Sequence, residues 1–201
     1  MIEIPTDIPA DLVPLSWLVG VWEGTGVIDY RAGETHFEGE FHYRASFSHD
    51  GGPYLNYAAT ATLLGADGRP DRPLTAESGF WRVARPATPA APGPGLLPAT
   101  ATEAARTADD VEALRTSAGG FPIEVVLSHS DGVQELYVGE VSGPRIDIAT
   151  DAVVRTASAQ PYGAATRLYG LVDGHLLWAW DIAALGAELA SHASARLAKV
   201  S

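Results

Sequence analysis

The chain has 201 residues, and 13 Lys and Arg against 25 Asp and Glu give a formal net charge of −12. This charge repels phosphate and the single lysine, Lys199, forms no basic cluster, so we expect no nucleic-acid partner. The 46% hydrophobic share is typical of a globular protein, and the absence of cysteine excludes disulfides, thiolate metal sites and cysteine nucleophiles.

A short helix and two strands are predicted at the start of the chain. Pro9 to Val19 is the best helical candidate, about two or three turns long. Val21 to Tyr30 is predicted to be the first strand. In the second, aromatic residues at odd positions alternate with polar ones, which is typical of a strand with one buried face: Phe37, Phe41, Tyr43 and Phe47.

Short alternating segments bounded by Gly, Pro and Asp continue to the C-terminus. The predicted strands are Tyr54–Leu64, Gly79–Val83, Ile123–Leu127, Val133–Val141, Arg145–Ala149, Ala164–Val172, His175–Ile182 and His192–Val200. About ten short antiparallel strands with one helix predict an all-β protein, a closed up-and-down barrel with room inside for a small ligand. A β-sandwich has the same periodicity and is the alternative fold.

One long segment interrupts the strand pattern. Ala84 to Pro122 opens with a Pro- and Ala-rich run that cannot pair in a sheet, and Ala108 to Thr116 within it is a candidate for a short helix. Because the strand pattern resumes beyond it, the segment is predicted to be a loop inserted into one domain that spans residues 1–201.

Nothing in the sequence predicts a membrane or secreted location. No run approaches 18 uncharged apolar residues, and Met1 to Asp7 has neither a basic start nor an apolar core. We therefore expect no signal peptide and no membrane partner, and predict a cytoplasmic protein.

The glycine-rich start of the first strand contains Gly20, Trp22, Gly24 and Gly26. It lacks the Lys-Ser/Thr ending of a phosphate loop and the third glycine of a dinucleotide fingerprint. The structural interpretation is that Trp22 packs inward while Gly24 and Gly26 allow another backbone to approach closely.

Six histidines are candidates for chemistry, and none shows local metal-site spacing. His36 and His42 share a strand face that points to solvent if Phe41 points inward. His49 and His129 each precede a turn, where capping of the turn is the favoured role and a catalytic pair the alternative. His192 lies among small residues that leave space for a ligand, although packing or capping is the commoner role of a lone histidine.

Several sequence blocks, taken in order, resemble the nitrobindin family. The first contains the Gly-x-Trp-x-Gly-x-Gly signature of Gly20, Trp22, Gly24 and Gly26. The others are Phe47–Leu55, Gly79–Arg82, Leu127–Glu135, Thr150–Val153, Arg167–Gly170 and His192–Leu197. Together they span the chain from Pro14 to its end, apart from the inserted loop.

The resemblance implies a ten-stranded barrel, similar in shape to fatty-acid-binding proteins, that holds haem b. It gives His192 the role of proximal ligand to the haem iron, with a hydrogen-bond acceptor orienting its other ring nitrogen. Gln160 matches a position near the haem propionates where several members carry lysine. The implied activity is isomerisation of peroxynitrite to nitrate on ferric haem, with nitric oxide bound by the reduced form.

Two other functions and the oligomeric state are left open by the sequence. A haem-free calycin-type barrel would take a fatty acid or another small apolar ligand into the same cavity. An interaction module would use the Pro-rich loop as a polyproline ligand. A homodimer is compatible with the sequence but not indicated by any particular segment.

Overall fold

The structure is a computed structural model that describes residues 8–86, 95–100 and 106–200. Its ten antiparallel strands form one closed sheet in which each strand pairs with its neighbours in sequence and β1 pairs with β10. The strands are β1 (Gly20–Ala32), β2 (Thr35–Ser48), β3 (Leu55–Leu64), β4 (Pro70–Val83), β5 (Phe121–His129), β6 (Val133–Ser142), β7 (Arg145–Arg155), β8 (Tyr162–Val172), β9 (His175–Ala184) and β10 (Ala190–Lys199). The predicted barrel is confirmed, and closure of the sheet excludes the sandwich.

Two strands are longer than the sequence predicted by six residues or more. β4 begins at Pro70 rather than Gly79, because register shifts in the pairing with β3 accommodate Pro70 and Pro73, which have no N–H to donate. β7 continues to Arg155, although it pairs with β8 only as far as Ala149 and then with β6 alone.

The N-terminal helix closes one end of the barrel. It is a 3-10 helix over Ala10–Leu18, and its three buried leucines, Leu12, Leu15 and Leu18, recur at the three-residue period of this helix type. The helix packs against β4 and β6, and the Trp22 indole N–H donates to the Leu18 carbonyl at 2.7 Å. This hydrogen bond ties the helix to the start of β1.

Residues 106–112 of the inserted loop lie at the same closed end. The predicted helix is α1, shorter than expected at Ala108–Glu112, and it begins with a capping box between Thr107 and Asp110. α1 contacts the N-terminal 3-10 helix, and Arg106 lies 3.5 Å from the buried Asp11. The Pro-rich run 87–94 and the segment 1–7 lie outside the described residues.

Within the described ranges, no helix has the length and apolar character needed to cross a membrane.

The glycine signature allows β1 and β10 to lie unusually close together. A Cβ built on Gly24 would overlap the carbonyl oxygen of Arg196, and one on Gly26 would overlap the Ser194 carbonyl and the Phe41 ring. These are the close backbone approaches that the sequence predicted. The signature therefore serves barrel closure beside the last strand.

We expect Gly24→Ala to lower the free energy of unfolding by about 1–3 kcal/mol, because the added methyl group must push β10 away. Urea denaturation measures the change. Gly170→Ala is the matched control, since its Cβ would meet nothing closer than 4.0 Å and should change stability by less than about 0.5 kcal/mol. Equal effects of the two substitutions would contradict the assignment.

Candidate functional site

A cavity of about 250 Å³ lies at the end of the barrel opposite the 3-10 helix. Its walls come from the second halves of β1, β3 and β5, the first residues of β6, β8 and β10, the middle of β2 and β4, and the middle and end of β9. The apolar lining comprises Ile28, Phe41, Ala61, Leu74, Val133, Trp178, Trp180, Ile182 and Ala193, and the polar lining includes Tyr43, Glu77, His129, Tyr162 and His192. An apolar chamber with a few converging polar groups is the usual form of a small-molecule site.

A β-bulge turns His192 into this cavity. Along β10 the buried residues Ala195 and Leu197 alternate with exposed ones, and this alternation continued backwards would place His192 outside the barrel. The register with β9 shifts between Ser191 and Ala193, so that His192 is the extra residue. His192 and Ala193 consequently both line the cavity.

The His192 ring is held between two aromatic side chains. Tyr30 meets it edge-on at 5.1 Å between centroids, and Trp180 does so at 5.3 Å, with interplanar angles of 81° and 89°. Its Nδ1 is buried and has no hydrogen-bond partner. Nδ1 is therefore a nitrogen without a partner, and packing against Tyr30 and Trp180 orients the ring.

Burial, with a smaller effect from the positive charge of Arg167, lowers the pKa of His192 to about 4. The imidazole is therefore neutral at physiological pH, which is the form that binds metals. A buried, unpartnered and neutral imidazole in an apolar chamber fits an axial ligand of haem iron.

The lowered pKa of His192 predicts a pH-dependent contribution to stability. Between about pH 6.5 and pH 4 the unfolded chain binds a proton at this histidine that the folded protein excludes, so stability falls as pH is lowered. Between about pH 6.5 and pH 4, we expect the unfolding free energy of His192→Gln to fall by about 1–3 kcal/mol less than that of the wild type, as measured by urea denaturation. An unchanged pH slope would show that His192 titrates normally.

Below the cavity, Arg167 lies fully buried on β8 between two buried glutamates. Its Nη1 and Nη2 donate to the two carboxylate oxygens of Glu77, both at 2.8 Å, and Nη2 also reaches Glu135 at 3.2 Å. Its Nε donates to the Tyr137 hydroxyl at 3.0 Å. Every nitrogen of the guanidinium is thus paired within the protein.

Tyrosines and His129 complete the hydrogen bonding of the two carboxylates. Tyr137 and Tyr162 donate to Glu135 Oε1 at 2.6 and 2.5 Å, while His129 Nε2 lies 2.6 Å from Glu135 Oε2. His129 Nδ1 is 3.6 Å from Glu77. The predicted turn-capping role of His129 is wrong, because its side chain points inward to these carboxylates.

The network favours ionised glutamates and neutral phenols. Burial opposes ionisation of Glu77, but the charge and hydrogen bonds of Arg167 outweigh it and lower its pKa to about 2. Burial, reinforced by the Arg-bound Glu77, raises the pKa of Tyr43 and Tyr57 well above the usual value. The tyrosines therefore remain hydrogen-bond donors to a carboxylate at all physiological pH values.

Glu77, His129 and Glu135 offer ligand atoms within 4.8 Å of one another, which is metal-site spacing. The Arg167 guanidinium already lies against both carboxylates and supplies the compensating positive charge. The geometry therefore describes an internal ion-pair network.

Replacing Arg167 with methionine would leave Glu77 and Glu135 buried without their cation, and we expect a loss of about 3–5 kcal/mol in unfolding free energy. Arg82→Met is the matched control, because Arg82 pairs with Glu124 at 2.6 Å on the exposed surface. That change should cost less than about 1 kcal/mol. Similar losses for both variants in urea denaturation would contradict the role of the network.

The structure places the other predicted residues away from the cavity lining. Gln160 is exposed in the loop between β7 and β8, two residues before the cavity-lining Tyr162. His36 is exposed beside Asp29, as the strand alternation predicted. His49 does not cap its turn through Nδ1, which is buried and unpartnered.

The sequence reasoning missed the buried charge network. Glu77 and Glu135 lie on inward-facing positions of their strands, where a charged residue rarely occurs unless it is paired. Glu135 and Arg167, in the inward register of the predicted strands Val133–Val141 and Ala164–Val172, are the signal that could have indicated it, whereas Glu77 precedes the predicted strand Gly79–Val83. The pairing itself depends on strands far apart in sequence.

Comparison with known proteins agrees with this architecture. The family model described as "THAP4-like, heme-binding beta-barrel domain" matches residues 11–199. Proteins named peroxynitrite isomerase are 64% identical in Leifsonia xyli subsp. xyli, with 99% of each chain covered, and 57% identical in Clavibacter michiganensis subsp. michiganensis, with 100% of each covered. The crystal structure of Rv2717c from M. tuberculosis aligns with a TM-score of 0.68 and 25% identity, over 99% of this chain and 100% of that one.

The chain is a small-molecule-binding β-barrel. It belongs to the THAP4-like haem-binding β-barrel family, which confirms the resemblance to the nitrobindins.

Proposed function

We propose that this protein binds haem b with His192 as the axial ligand and isomerises peroxynitrite to nitrate. The observation that carries the proposal is the His192 imidazole, which is turned into an apolar chamber by a bulge and left with an unpartnered Nδ1. Membership of the haem-binding family and the names of the full-length relatives support it.

The protein contributes the preoriented imidazole nitrogen of His192 in a pocket lined mainly by apolar side chains. When bound, ferric haem would supply a Lewis acid for the peroxynitrite anion. Tyr30 and Trp180 hold the His192 ring before any ligand arrives, so little conformational freedom is lost on binding. The apolar walls formed by Phe41, Trp178 and their neighbours limit the access of water.

The same site argues against the fatty-acid alternative. A fatty-acid carboxylate taken into the barrel needs a cation inside as its partner. Arg167, the buried cation among the described residues, is fully engaged by Glu77, Glu135 and Tyr137. A second carboxylate would have to break a buried ion pair, so a ligand that brings a metal to His192 fits better.

The proposal extends to features that follow from family membership. We propose that the reduced protein binds nitric oxide, and that Gln160 contacts a haem propionate as a neutral amide in place of lysine. The whole chain would act as one cytoplasmic domain with an inserted loop at 84–122, without nucleic-acid or membrane partners. Size-exclusion chromatography with light scattering would establish whether it forms a homodimer.

A hemin titration followed at the Soret band tests the axial ligand. We expect one-to-one binding by the wild type and a loss of affinity of about 100-fold or more in His192→Ala, since no other imidazole among the described residues is turned into the cavity with a free nitrogen. Added imidazole should restore the wild-type spectrum in the cavity left by the variant.

His36→Ala is the control, because this histidine is exposed on the outer face of β2 at the same end of the barrel. It should bind hemin like the wild type and accelerate the decay of peroxynitrite to nitrate equally well. Equal hemin spectra and affinities for wild type and His192→Ala would refute the proposal. Detection of a bound lipid in protein that refuses hemin would favour the fatty-acid alternative.

A further inference from the structure

A row of aromatic side chains that can be oxidised extends from the cavity into the half of the barrel that the 3-10 helix closes. Trp180, which meets His192 edge-on, lies 6.0 Å from Trp178 between ring centroids. Trp178 stacks on Tyr43 at 4.8 Å with the planes 12° apart. Tryptophan and tyrosine are the side chains that lose one electron most readily. We call these four side chains the aromatic path: Trp180, Trp178, Tyr43 and Tyr57.

The inner end of the aromatic path holds an acceptor for the proton that tyrosine releases on oxidation. The hydroxyl groups of Tyr43 and Tyr57 are 2.8 Å apart, and they donate to Glu77 Oε1 at 3.1 and 2.6 Å. The indole nitrogens of Trp178 and Trp180, by contrast, are buried without a hydrogen-bond partner. Loss of an electron and of a proton can therefore occur together at the tyrosines but not at the indoles.

We propose that the aromatic path draws one-electron oxidising equivalents away from the haem site and delivers them to Tyr57. The inference rests on the proposed function, because homolysis of protonated peroxynitrite yields nitrogen dioxide and hydroxyl radicals beside His192. The path would protect the axial ligand and the haem from radicals that escape isomerisation.

The step balances in electrons and protons. Nitrogen dioxide takes one electron from Trp180 and leaves as nitrite. Electron transfers along the path then reduce Trp180 again and leave Tyr57 oxidised. The Tyr57 phenolic proton passes across its 2.6 Å hydrogen bond to Glu77. The products are nitrite, a neutral Tyr57 phenoxyl radical and a protonated Glu77.

The path is tested first in haem-free protein, by pulse radiolysis with the azide radical, which oxidises tryptophan. We expect the tryptophan radical absorption to decay while the tyrosine radical absorption grows, with a rate independent of protein concentration. Trp178→Phe should slow this growth by about tenfold or more, because phenylalanine is not oxidised by its neighbours. Trp17→Phe, in the 3-10 helix and outside the path, should leave the rate unchanged.

Tyr57→Phe keeps the shape of the core and removes the final donor, so the tyrosine radical should then be shorter-lived. Circular dichroism and thermal melting establish that each variant is folded. An unchanged growth rate in folded Trp178→Phe, or no tyrosine radical in the wild type, would overturn the proposal.

The link to haem is tested on hemin-loaded protein exposed to peroxynitrite. Trp178→Phe should lose its Soret absorption by haem destruction faster than the wild type and than Trp17→Phe. Equal bleaching, with electron transfer intact in the haem-free protein, would show that the path does not serve the haem site. Failure of the wild type to bind hemin would instead refute the proposed function and leave the radiolysis result standing.

Discussion

The bidentate ion pair between Arg167 and Glu77 determines how the interior of this barrel is divided. It joins β8 to β4 across the barrel and, with Glu135, places three charged groups in a region of low dielectric. Such groups persist only if every lone pair and proton is satisfied, which explains the tyrosines and His129 that surround them. The network forms a polar layer, with the packed hydrophobic core on one side and the ligand chamber on the other.

This polar layer also determines which ligands the chamber can bind. Because Arg167 is already engaged, it is not free to bind an anionic ligand, and because the carboxylates are paired with it they do not attract a free metal ion. The reactive group left in the chamber is His192, kept neutral by burial. A site with one neutral imidazole and aromatic walls suits a planar apolar group that carries its own metal.

Local irregularities of the sheet determine the position of His192. The bulge in β10 places His192 and Ala193 on the same side, which regular alternation forbids. Gly24 and Gly26 bring β1 close to the strand that carries this bulge, so that Tyr30 of β1 can contact the His192 ring. The glycine signature and the block that contains His192 are far apart in sequence. Both nevertheless determine where the His192 ring lies.

The sequence by itself determined the number and direction of the strands and the buried face of β2, because these depend on local alternation and on turn residues. It also pointed to His192, through resemblance rather than spacing. Only the tertiary structure decided that His192 faces inward, that His129 does so too, and that Glu77, Glu135 and Arg167 meet. These outcomes depend on a one-residue register shift and on the closure of strands distant in sequence, neither of which leaves a periodic signal along the chain.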